Sequence, residues 1–155
     1  MAKDDGEQIV ELKREIKVVR ACLVEVLCDI DRMAQGQSAC ANMEEGSRRE
    51  LNALHRRLVE RLHPFTNPEA DRICVRRLKL VRLALRRADV PMMRSLDALT
   101  SGEQGAQRAM AALTSVEECN AELALVTAQV NVMHEERTRM RSNALHSNNG
   151  QFEFL

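Results

Sequence analysis

The chain predicts an all-α fold in which long heptad-patterned coiled-coil helices at the two ends, running antiparallel, carry a shorter helical hairpin between them. Three observations lead there. The 155 residues include no Trp, no Tyr and three Phe, so the large rings that fill sandwiches and barrels are missing, while helix-compatible Leu, Val, Ala, Met and Arg dominate. Near the N-terminus Ile9, Leu12, Ile16, Val19, Leu23, Val26, Ile30 and Met33 recur in alternating steps of three and four. A second seam runs through Ala109, Ala112, Val116, Cys119, Leu123, Val126, Val130, Met133 and Met140, interrupted at Arg137.

The first seam defines a helix of about 28 residues, about 42 Å long at 1.5 Å per residue. Gly36 and the small polar run behind it close the helix, so residues 1–46 form an N-terminal coiled-coil helix and its linker. Val18, Val24 and Leu27 lie off the seam and widen the apolar face, which suits a bundle better than a bare two-stranded rod. Ser47 with Glu50 three residues on reads as a capping box, opening a helix whose stripe is Leu51, Leu54, Leu58 and Leu62 and which Pro64 stops. Thr66 and Asn67 then offer caps, Pro68 suits a first turn, and Glu69 and Asp71 complement the positive end of a helix over 68–88. That helix turns Cys74, Leu78, Val81 and Leu85 inward. Asp89 and Pro91 begin a short third helix ending near Leu99, so residues 47–99 form the hairpin unit. Residues 100–155 supply the second long helix and a tail, SNNGQFEFL, that is turn-rich and then apolar. Phe152, Phe154 and Leu155 either dock on the bundle or stay loose. The two seams close most simply on each other, with the middle segment at one end; a homodimer built from the same seams is the alternative.

Charge is segregated within a neutral total. Residues 1–46 hold 6 basic and 10 acidic side chains (net −4), residues 47–99 hold 13 and 6 (+7), and residues 100–155 hold 4 and 7 (−3). Seven cations of the central island, Arg72, Arg76, Arg77, Lys79, Arg82, Arg86 and Arg87, fall on one helix. They form a solvated face, or one paired with Glu11, Glu15, Glu25 and Asp29, rather than a nucleic-acid surface, because no stacking aromatic accompanies them. The five cysteines, Cys22, Cys28, Cys40, Cys74 and Cys119, are odd in number and widely spaced, without a CxxC. This pattern fits small apolar residues in a reducing compartment better than zinc or disulfides. The polar MAKDDGEQ start and the absence of a long apolar run predict a cytoplasmic protein with no membrane segment. No cysteine has a His at helical spacing to activate it, and His134 with Glu118 or Glu122 does not make a ligand spacing. No catalytic residue, metal or cofactor is expected.

The junction HRRLVERLHPFTNPEA, from His55 to Ala70, resembles the J-domain, the module by which DnaJ-type co-chaperones engage DnaK-type ATPases and in which the usual run is close to RRLVKKLHPDKNPEA. Leu78, Val81, Ala84 and Leu85 match the family's packing positions on the following helix, which here is about one turn longer than usual. The stretch from Ala88 to Leu99 looks like the closing helix of J-domain-like bacterial proteins with flanking coiled coils, so the likeness covers about 50 residues. It implies a protein partner, a DnaK-type chaperone or its client, docking on Arg48, Arg49, Arg56, Arg57, Arg61, His63, Pro64 and Phe65. The family's tripeptide is His-Pro-Asp, whereas here it is His63-Pro64-Phe65. A carboxylate accepts charge-assisted hydrogen bonds and a phenyl ring cannot, so the resemblance implies docking without stimulation of an ATPase. Phe65 is either a core plug or an exposed anchor, with burial the expectation. The function expected is a non-enzymatic interaction module. A structural oligomerisation adaptor or a nucleic-acid binder using residues 72–87 are the other readings.

Overall fold

The computed structural model describes residues 4–36 and 38–153, with side chains for 4–36 and 39–145. Helix α1 spans Asp5–Gln35, opened by Asp4, whose Oδ1 accepts the Glu7 N–H at 2.7 Å, and closed by Gly36 at φ 79°. At that positive φ a glycine avoids the Cβ clash of any other residue. A four-residue α2, Ser38–Ala41, follows within the stretch read as linker. Helices α3 (Glu45–Leu62), α4 (Arg72–Arg87) and α5 (Val90–Leu99) form the middle. Asp71 caps α4 through the Cys74 N–H and Asp89 caps α5 through the Met92 N–H, both at 3.0 Å, with Pro91 in the first turn of α5. Helix α6, Gly105–Ala111, leads to α7, Val116–Glu153.

The all-α expectation holds: every regular element among the described residues is a helix. One apolar cluster joins the elements. Leu23, Val24, Leu27 and Cys28 of α1 meet Leu51, Leu54, Leu58, Val59 and Leu62 of α3 and Cys74, Leu78, Val81, Ala84 and Leu85 of α4. Val90, Met93 and Leu96 of α5 close one side, and Val126 of α7 joins from the other. Of the first seam, Ile16, Leu23 and Val26 are buried, and Ile9, Leu12, Val19, Ile30 and Met33 are half-buried. On α7, Cys119 and Val126 are buried while Val116, Leu123, Val130 and Met133 are half-buried. No described helix is long and apolar enough to cross a membrane.

Several expectations are corrected. The long helices run parallel, not antiparallel: Arg20 reaches Glu122 at 2.8 Å and Asp29 reaches Arg137 at 2.8 Å, so residue numbers rise together along both. The reason is the return path. Helix α6 brings the chain back beside the middle of α1, where Ala106 O accepts from Arg20 Nη1 at 3.5 Å, and α7 starts from there. The second seam is broken between Ala111 and Val116, so Ala109 and Ala112 do not extend it. Ser115 Oγ accepts the Glu118 N–H at 3.1 Å and starts a new helix. Helix α3 begins at Glu45, which places Ser47 inside its first turn rather than at the cap. Finally, α4 begins at Arg72 instead of Pro68, because Asp71 captures its N-terminus and leaves residues 63–71 as a loop. At the chain end, the α7 backbone stays helical through Ser147–Gly150, where a turn was expected. The docking of Phe152, Phe154 and Leu155 lies outside the described residues.

Candidate functional site

The α3–α4 loop is held by its own polar side chains. His63 ends α3, and its carbonyl accepts the N–H groups of Thr66 at 3.1 Å and Asn67 at 2.8 Å. The Thr66 hydroxyl lies 3.0 Å from Val59 O, which also accepts the His63 N–H, and 2.9 Å from Glu60 O, which Pro64 leaves without a backbone donor. Asn67 donates from Nδ2 to Arg61 O at 2.8 Å and accepts the Glu69 N–H at 2.9 Å through Oδ1. Thr66 and Asn67, expected to cap the following helix, thus close the preceding one, and both are buried. Across the gap sits Gly105. A Cβ there would lie 1.8 Å from Asn67 Oδ1 and 2.6 Å from its Cγ, so glycine is what lets α6 seat against the loop.

This loop presents Pro64 and Phe65 outward. Phe65 is 38% exposed, which corrects the expectation of a core plug: Thr66 and Asn67 fill the interior side of the loop instead. Its ring stands edge-on to His63 with centroids 5.1 Å apart, a favoured aromatic geometry. The Phe65 N–H donates to His63 Nδ1 at 3.0 Å, which requires the neutral tautomer with its hydrogen on Nε2. Burial, then the nearby Arg82 charge, push the His63 pKa below its usual value, consistent with a neutral ring at pH 7.

The arginines read as one docking face are distributed around α3. Arg48 turns back to Ala41 O and Met43 O, and Arg49 pairs with Glu45 on the same helix. Arg56 pairs with Glu25 of α1 at 3.0 Å, while Arg57 and Arg61 converge on Asp97 of α5 at 2.8 and 2.7 Å. Each therefore already has an intramolecular acceptor, and those of Arg56, Arg57 and Arg61 belong to neighbouring helices. On α4, Arg82 pairs with Asp31 at 3.0 Å and Arg77 with Glu103 at 3.9 Å. Arg72, Arg76, Lys79, Arg86 and Arg87 are exposed with no ion pair among the described residues, beside exposed Ile73, Val75 and Leu80. Of the acidic partners expected for this helix, Glu25 and Asp29 serve other arginines.

Sequence reasoning missed a buried polar cluster beneath the hairpin. His55, fully buried, places Nε2 3.0 Å from Asp31 Oδ2, and Asp31 Oδ1 accepts from Arg82 Nε at 3.0 Å. Burial alone would raise the Asp31 pKa, but the His55 hydrogen bond and the Arg82 charge outweigh it and hold the carboxyl below its usual value. The pair resembles a catalytic His–Asp couple only in outline, because the imidazole has no solvent-accessible surface for a substrate to reach. The signal was in the spacing: Asp31 continues the buried face of Val24, Leu27 and Cys28, and His55 lies between Leu54 and Leu58. All five cysteines are free thiols, and burial pushes the Cys28 thiol up to about 12, far from the range of a nucleophile. Among the described residues, no group of three or more His, Cys, Asp or Glu could hold a metal ion. No protein-family model, curated protein or solved structure matches the chain.

Proposed function

We propose that this protein is a non-enzymatic interaction module that docks a protein partner through the α3–α4 hairpin, in the manner of a J-domain that has lost ATPase stimulation. The observation that carries the reading is the exposed Phe65, held against His63 on a loop whose every turn is hydrogen-bonded. An aromatic anchor on a preorganised loop loses little entropy on binding, which is what interface hot spots require. The HPFTNPEA junction supports the J-like part of the reading, because a capped loop there joins α3 to α4. The intramolecular pairing of Arg57 and Arg61 with Asp97 supports the loss of stimulation, since those guanidinium groups are already engaged.

The test is single-turnover hydrolysis by a DnaK-type ATPase with wild type, Phe65→Asp and His63→Gln, alongside binding of each to the immobilised chaperone. Wild type should leave the basal rate unchanged while binding in a His63-dependent way. Strong stimulation by wild type would overturn the proposal. Absence of binding by wild type and Phe65→Asp alike would reduce the likeness to architecture.

A second reading has one observation behind it: the five unpaired cations of α4. Nucleic-acid binding through that face predicts retention on DNA that fades steeply with salt, because phosphate contacts release counterions.

A further inference from the structure

A cleft of about 540 Å³ opens between α1, α3 and α6, with Thr66 in its lining. Its size is within the range of small-molecule sites. Helix α1 contributes Lys13, Lys17 and Arg20, which the four- and three-residue spacing aligns on one face, and Arg56 of α3 adds a fourth cation. Glu60 is the one carboxylate in the lining, so the wall carries net positive charge. Helix α6 supplies the other wall with Ala106, Met110 and Ala111, and Val24 of the core lies at the base of the α1 face.

The charge of the cleft asks for an anion. Lys13 is half-buried and Lys17 exposed, yet among the described residues no carboxylate pairs with either. Arg20, held by Glu122 through Nη2 and by Ala106 O through Nη1, is fixed in place beside them. Cations along one wall and apolar side chains along the other describe a site for a molecule that is charged at one end and greasy along its body.

We propose that this cleft binds a single-chain organic anion, a carboxylate on an apolar body, with its head at Lys13, Lys17 and Arg20 and its body along Met110 and Ala111. The site shares Arg56 and Thr66 with the hairpin, but neither Phe65 nor His63 lines it, so its test is separate from that of the hairpin reading.

Decanoate is the probe, titrated calorimetrically below its micellar range at fixed ionic strength, with decanol and acetate as controls. Decanoate should bind with 1:1 stoichiometry, at least about tenfold more tightly than decanol, while acetate shows no saturation. The Lys13→Gln/Lys17→Gln pair lies outside the buried core and should keep the wild-type circular dichroism while weakening decanoate about tenfold and leaving decanol unchanged. Methyl NMR should place the chain at Met110. Equal affinity for decanol, acetate binding as tightly as decanoate, no effect of the lysine pair, or shifts that bypass Met110 would each overturn the proposal, as would absence of saturable binding.

Discussion

Asp31 is the residue on which three helices agree. Its carboxylate joins α1 to His55 of α3 and to Arg82 of α4, and only 9% of its side chain is exposed. Removing one partner of a buried pair strands the others, so Asp31→Ala should cost about 3–5 kcal/mol in urea unfolding. The pH dependence follows from the direction of the shift. A carboxyl held below its unfolded value, about 3.9, contributes stability that is present above that value and is lost as pH falls through the folded one. Thermal melts of wild type should therefore drop between about pH 4 and pH 2 by more than melts of Asp31→Ala. Equal drops would mean that other carboxylates govern acid unfolding. Both Asp31 and His55 were legible as polar residues on apolar stripes. What the spacing could not reveal is that they meet, because their contact spans 24 residues and depends on how α1 crosses α3.

At the scale of elements, the start of α5 was legible because Asp89 and Pro91 act locally. The start of α4 was not, since Pro68 and Asp71 are both acceptable openings and the contest was decided by Asn67. Once its amide is committed to Arg61 O and the Glu69 N–H, residues 67–70 turn rather than coil. The same amide makes Gly105 sensitive. Gly105→Ala should cost at least about 1–3 kcal/mol by overpacking, although alanine is the better helix former. In a double-mutant cycle with Asn67→Ala the penalty should shrink, since the truncated side chain vacates the space. Additive costs would show that the approach of α6 to the loop is not what holds it. The break before α7 illustrates the opposite case: Ser115 and Glu118 are a legible capping box, overlooked because apolar steps of three and four continued across it.

Across the whole molecule, the α1 seam is spent within the chain. Ile16, buried completely, lies in the stretch of α1 that α7 accompanies, so an acidic side chain there disrupts the monomer's own core. Ile16→Asp should lose about 3–5 kcal/mol, and the wild-type Tm should stay constant across roughly a hundredfold range in protein concentration. A Tm that climbs with concentration would instead assign the seam to a dimer. Composition and periodicity by themselves determined that the protein is helical and which faces of α1, α3 and α4 turn inward. These are properties of residue type and of steps of three and four, which act over one or two turns. Tertiary structure alone decided that the long helices are parallel, that Phe65 faces outward, that the arginines of α3 are shared among neighbours, and that Lys13, Lys17 and Arg20 border a cleft. A heptad seam reads the same in either direction, and a charge has no partner until distant segments meet, so those outcomes rest on contacts between residues far apart in the chain.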